Sequence, residues 1–335
     1  MLDAAKQLQD AIGKQDTGAV KTLGKSINDI WLSYENAVRQ SFPLEYTDVE
    51  KYEMPIFSAS AYDKVDFDEL KANAAGLIDS LTKLQNAKPS TANSSELLNQ
   101  AVAKYQEYVL DQTNKLADET QKFVDAVKAG NADLAKAEYA KARVYYENIE
   151  PIAESFGDLD PKIDARLADV EDPSAWTGFH RIEKALWADN SLEGQAQYAD
   201  QLLADVKDLQ AQVKTVKLEP KAMVAGAMEL LNEAATSKIT GEEELYSHID
   251  LVDLAANVDG SKTVYLAIIP ALNENNTELA DKLDKAFLDM ETTLSGYVKD
   301  GQYVAYTELT TDQIRQISDQ LSQLSTLMSQ TAAIL

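Results

Sequence analysis

No stretch of this chain alternates apolar and polar residues at the two-residue period of a strand, whereas apolar residues recur at helical spacing through most of its length. Glycine and proline, which interrupt helices, number only 13 and 8 in 335 residues. Ala, Leu, Lys, Glu, Asp and Gln dominate the rest. The chain therefore reads as all-α, a set of tandem helical bundles with a helical N-terminal extension.

The breaks set the expected organisation. A short helix and a longer one over 18–41 open the chain, followed by an irregular acidic and aromatic stretch from Pro43 to Asp66 and a helix over 67–84. Asn86 to Ser94 reads as a linker. Long helices are expected over 96–129 and 132–156, another over 192–213, a second break at Leu218-Glu219-Pro220, and four or five helices beyond, one bent at Pro270. This gives an N-terminal region, 1–85, and a second region, 95–335, made of two packed bundles of about 95–215 and 220–335. Ala11 to Asn36 parallels Ala126 to Asn148, so residues 1–85 read either as a degenerate copy of the following bundle, structural or for contact with a partner, or as a chance likeness between Ala/Leu/Lys-rich helices.

A net charge of −25 argues against partners such as nucleic acid or an anionic membrane surface. It suits a protein that handles cations, and it serves solubility as well. There is no cysteine, which removes disulfides, thiolate metal sites and cysteine nucleophiles and fits an oxidising compartment. No apolar run has the length of a membrane helix, and Met1 to Lys6 reads as the start of a helix, not as a signal peptide.

One stretch carries chemistry: Thr177-Gly178-Phe179-His180-Arg181-Ile182-Glu183-Lys184-Ala185-Leu186-Trp187, with one of only two histidines. On a helix Phe179, Ile182 and Leu186 share a face, and His180 and Glu183, three residues apart, point together from its shoulder. A carboxylate there is costly to desolvate unless a cation meets it, either Arg, Lys or a metal ion. The alternative is a buried His–Glu hydrogen bond that only fixes packing. Glu243 and Asp250 are seven residues apart and would share a helical face, with Glu242 to Glu244 at the helix start. His248 reads as a core histidine or a ligand. Glu147, Glu150 and Glu154 form a stripe that is solvated on a straight helix, but Pro151 could bend Glu147 or Glu150 inward. Imidazole and carboxylates without thiolate suit iron, manganese or zinc, and the excess of oxygen favours ferric or ferrous iron. Three of the five arginines, Arg143, Arg166 and Arg181, fall in this region and are expected to organise buried acids, with surface pairing as the alternative.

Gly178 to Trp187 resembles the GxHxxE block of the imelysin-like proteins, in particular the EfeO/EfeM iron-uptake family. Arg143 to Glu154, Phe156 to Asp160, Ile163 to Arg166, Lys238 to Glu244, Tyr246 to Leu251 and Ala256 to Gly260 resemble further blocks of that family in order, covering about 95–335. The resemblance implies a metal site at His180 and Glu183 joined by one or more of Glu147, Glu150, Glu243 and Asp250. It implies an iron-binding component, with zinc or another divalent metal as the alternative cargo, that delivers to a membrane ferric permease of the EfeU kind beside a haem peroxidase of the EfeB kind. Family members are exported, so the chain is expected in the periplasm or at the cell surface as a lipoprotein, as a monomer, without its signal or anchor segment. Residues 1–85 hold no His or Cys, so the likeness is to the form without a cupredoxin domain. A carrier rather than an enzyme is expected, with few ligands and solvent-exposed positions. An HxxE metallopeptidase, or a cation-dependent module for acidic polysaccharide, is the alternative, although the HExxH pattern of zinc peptidases is absent.

Overall fold

The computed structural model describes residues 1–42, 67–88 and 96–334, together with residues 45, 48–49, 52–53 and 55–57. Helices dominate. At the N-terminus lie α1 (Leu2–Gly13), α2 (Thr17–Leu32), α3 (Glu35–Ser41) and α4 (Phe67–Asn86). Leu8, Ile12, Val20, Ile27, Trp31, Leu70 and Leu77 recur at helical spacing and bury together in one apolar cluster. Asp16 starts α2 by accepting from the Ala19 amide at 3.0 Å. The break between α2 and α3 interrupts the expected 18–41 helix. Of the expected linker only Asn86 to Lys88 falls among the described residues, and the Pro43–Asp66 stretch lies largely outside them.

A second cluster runs through the rest of the chain, from Leu98 to Met328. Its spine is α5 (Glu96–Lys128), 33 residues and roughly 50 Å long. Against it pack α6 (Ala132–Glu147) and α9 (Ala196–Val213); between these two in the chain, after a 3-10 segment at Glu150–Phe156, come the short α7 (Leu159–Asp164), packed on α9, and α8 (Phe179–Trp187), packed on α6, α7 and α9. The expected 132–156 helix therefore stops at Glu147 instead of bending: Pro151 has no amide hydrogen to continue it. As expected, α10 (Pro220–Thr236) begins at the second break, and α11 (Asp250–Asn275) carries Pro270 inside it. α12 (Thr277–Ser295) and α13 (Thr311–Gln330) close the bundle, with α10 packed on α11 and α13. A hairpin of two-residue strands, β1 (Val298–Lys299) and β2 (Gln302–Tyr303), is the only sheet among the described residues. None of the described helices is long and apolar enough to cross a membrane. The protein is all-α, and α11 lies against α5, α6 and α10, so the acids near its start face those of α6.

Candidate metal centre

α8 is short, and its apolar stripe locks it in place. Phe179, Ile182 and Leu186 are buried. Phe179 stacks near Phe123 at 6.1 Å between ring centroids and meets Tyr139 edge-on at 5.9 Å. Gly178 opens the helix at φ +91°, and a Cβ there would lie 2.3 Å from the Ile163 carbonyl oxygen. Only glycine lets the start of α8 press so closely on the end of α7. The next residue of α7 is Asp164, and this approach places it beside His180.

His180 is 1% exposed. Its two ring nitrogens face different surroundings. Nδ1 lies 3.1 Å from Glu183 Oε2 and 3.5 Å from the Tyr139 hydroxyl. Nε2 has no hydrogen-bond partner; it faces Asp164 Oδ1 at 3.5 Å and Glu243 Oε1 at 3.7 Å. The other oxygen of Glu183 accepts from the amides of Tyr246 and Ser247, each at 2.8 Å. Those amides are aimed by the 241–249 turns, where Gly241 sits at φ +80° and His248 at φ +59°. Glu244 accepts from the Tyr139 hydroxyl at 3.0 Å and the Ser247 hydroxyl at 2.5 Å, and it pairs with Arg143 Nε at 3.0 Å. Two triplets thus converge on one imidazole: Asp164, His180 and Glu243, and His180, Glu183 and Glu244.

Two buried cations hold the surrounding acids. Arg143 is fully buried and contacts Glu147 and Asp164 in close ion pairs, and Asp253 at 3.1 Å. Lys238, equally buried, reaches Glu147 Oε2 at 2.9 Å, both oxygens of Glu150 at 2.7 Å and Glu243 Oε1 at 3.5 Å. The Asn257 amide donates to Glu147 and Glu150 at 2.7 Å each. Arg166 pairs with Asp169 at 2.9 Å and approaches Glu243 Oε2 at 3.5 Å.

The titration of these groups follows from their neighbours. Burial pulls the His180 imidazole down, but the carboxylates beside it, Glu183 in a hydrogen bond and Glu243 at 3.7 Å, prevail and its pKa rises to about 10. Without a metal the ring is thereby held as imidazolium above the ordinary value near 6.5, and a metal ion would have to displace the Nε2 proton. Burial raises Glu147, yet Arg143 and Lys238 more than offset it and leave that pKa at about 2. Glu243 likewise lies well below the carboxylate range, held there against burial by Lys238, His180 and Arg166. Burial raises Asp164 and Asp250 to about 6. It lifts Glu150, Glu244 and Asp253 well above the carboxylate range, aided by the acids Glu147, Glu183 and Glu244 respectively.

The sequence-expected residues therefore occupy three positions. His180, Glu183 and Glu243 meet at the imidazole. Glu147 and Glu150 are turned inward, not by the bend expected at Pro151 but where the helix ends, and they lie on Lys238; the side chain of Glu154 is outside the described residues. Asp250 accepts from the Glu244 amide at 3.1 Å through one oxygen, and its other oxygen is buried without a partner. The helical i, i+7 argument for Glu243 and Asp250 fails, because 242–249 is a run of turns and α11 begins only at Asp250. His248 is half-buried and makes no side-chain hydrogen bond among the described residues. The cluster is buried, not solvent-exposed as a carrier site was expected to be. Residue spacing does not pick out Asp164, Glu244, Asp253, Lys238 or Tyr139, although Asp164, Lys238 and Glu244 lie inside the blocks that resemble the family.

The family model described as Imelysin matches residues 101–331, the stretch that holds this bundle and its buried histidine. The iron uptake system component EfeM of Bacillus subtilis is 48% identical over 98% of this chain and 86% of that protein. An EfeM/EfeO family lipoprotein of Staphylococcus haemolyticus is 42% identical over 76% of this chain and 91% of its own length. The iron uptake system component EfeO of Escherichia coli K12 is 43% identical over 74% of this chain and 68% of its own length. The chain belongs to the EfeM/EfeO family of imelysins. A crystal structure from Parabacteroides distasonis, assigned as an iron-regulated protein A precursor, shares the fold at a TM-score of 0.60 and 15% identity, covering 73% of this chain and 96% of that one.

Proposed function

We propose that this protein is an extracytoplasmic iron carrier of an iron uptake system, which binds iron at His180 and passes it to a membrane permease alongside a haem peroxidase. The observation that carries the reading is the Nε2 of His180: buried, without a hydrogen-bond partner, and flanked by Asp164 and Glu243. A metal ion there takes Nε2 and one oxygen from each acid, while Glu183 accepts Nδ1–H and fixes the ring, the usual outer support of a ligating histidine. On this reading Glu183 positions the ligand, and Glu147 and Glu150 set the local field through Lys238. Even with Glu150, Glu244 and Asp253 protonated, five carboxylates (Glu147, Asp164, Glu183, Glu243 and Asp250) remain against Arg143, Lys238, Arg166 and a protonated His180, and a multivalent cation would supply the missing counter-charge. One imidazole among hard oxygens suits iron, and the names of the relatives support it. The lipoprotein relatives support a place at the cell surface.

The test is elemental analysis of protein equilibrated with iron or zinc and then desalted. Wild type is expected to retain about one iron per chain and His180→Ala essentially none. Iron uptake by cells carrying the permease should follow the same order. Equal retention by the two proteins would sink the site. Equal uptake, together with peptide cleavage by zinc-loaded wild type alone, would move the assignment to a peptidase.

A further inference from the structure

On another side of α8 lies a second cavity, of about 220 Å³, that the iron reading does not use. Arg181 lines it. The side chains of Arg143, Arg166 and Arg315 all pair with carboxylates, but Arg181 makes no ion pair among the described residues. Its guanidinium instead lies over the Tyr198 ring, 3.7 Å from the centroid, with Trp176 at 5.9 Å. One donor goes to the Trp176 carbonyl at 3.2 Å, and Nε has no acceptor. In a chain of net charge −25, a fixed guanidinium without a carboxylate is conspicuous.

The other polar groups of the cavity sharpen the case. Lys184 is held by both oxygens of Asp189, at 2.6 and 2.8 Å, so that pair neutralises itself and keeps Asp189 off Arg181. The lining thus carries one uncompensated positive charge. Gln195 also lines the cavity; its Oε1 is closed off with no donor, so a ligand would meet it on rotation of the terminal amide, a soft torsion. Pro173 and the Trp176 ring supply apolar wall. A stacked cation, one free acceptor and an apolar wall in a concave space are the elements of a small-molecule site.

We propose that this cavity binds a small hydroxy-carboxylate with an apolar body: the carboxylate on Arg181, a hydroxyl donating to Gln195 Oε1, and the body against Pro173 and Trp176. Arginine suits the first role because its planar fork matches a carboxylate. The hydroxyl gives Gln195 the donor it lacks.

The test is calorimetric titration of the full chain with 4-hydroxybenzoate, benzoate and inorganic phosphate, with tryptophan emission followed in parallel. Saturable binding of 4-hydroxybenzoate with a change in emission is expected, weaker binding of benzoate, and no comparable binding of phosphate. Arg181→Gln should weaken 4-hydroxybenzoate roughly tenfold or more. Gln195→Ala should weaken 4-hydroxybenzoate but leave benzoate unchanged. Unaltered helicity by circular dichroism, and unaltered iron retention, would show that the variants keep their fold. The proposal is overturned by an absence of saturable binding to millimolar concentration, by binding indifferent to Arg181→Gln, or by phosphate binding as well as 4-hydroxybenzoate, which would mark a bare oxyanion site.

Discussion

Arg143 touches Glu147, Asp164, Glu244 and Asp253 while fully buried, so removing it strands several acids at once. Arg143→Met is expected to lower the unfolding free energy by about 3–5 kcal/mol in urea denaturation, the usual cost of breaking a buried pair from one side. Arg315→Met, whose pair with Asp312 is exposed, should change it little. If both variants unfold alike, the buried network is not what holds this region. At His180 the two nitrogens call for a different experiment. Glu183→Gln should weaken iron binding roughly 10–100-fold, as loss of an outer support does, whereas His180→Ala removes it. Equal losses from the two changes would restore Glu183 to the direct ligand role that its spacing first indicated.

Two glycines govern how the elements meet. A Cβ on Gly260 of α11 would lie 2.4 Å from the Asn148 carbonyl oxygen at the end of α6, and one on Gly178 would lie 2.3 Å from the Ile163 carbonyl oxygen. Gly260→Ala is expected to cost about 1–3 kcal/mol as simple overpacking, read as a lower melting temperature. Gly178→Ala adds a positive φ, and it should also weaken iron binding, because the same approach sets Asp164 beside His180. Normal iron affinity in a Gly178→Ala protein that still folds would break that link. The elements themselves were largely readable, since an apolar stripe such as Phe179, Ile182 and Leu186 belongs to one helix and needs no neighbour to define it. Asp164 was not, because it is 16 residues from His180 and arrives through the packing of α7 on α8. Lys238 was not either: a lone lysine reads as surface, and it is the distant carboxylates of Glu147, Glu150 and Glu243 that make its burial tolerable. Turns at Gly241 and His248 replaced an expected helix, and positive φ at a histidine leaves no mark in a pattern of apolar residues.

Across the whole molecule, two apolar clusters are drawn from different parts of the chain, one within residues 5–81 and one within 98–328. We propose that they open independently, and Glu53 gives a handle on the first. It is buried, its Oε1 has no partner, and burial with Glu35 nearby raises its pKa to about 8. The folded state therefore holds this proton more tightly than the unfolded chain does. Its contribution to stability is complete below the ordinary carboxylate pKa near 4.5 and is lost as pH rises through about 8. Hydrogen exchange, corrected for intrinsic rates, should show protection of 1–42 and 67–86 falling from pH 6 to 9 while the larger cluster holds. Glu53→Gln should flatten the change, and an unaltered pH profile in that variant would assign the effect elsewhere. The cations Arg143 and Lys238 carry a different consequence, for the emptied state of the proposed carrier. Many small metal-binding domains collapse when emptied, because the metal is their only counter-ion. Here two side chains stay behind as resident counter-ions, so the bundle has no need of cargo to remain a bundle. On the proposed carrier reading, such a protein would release its load, return empty and be filled again, and strong chelators should strip bound iron without moving its helical signal.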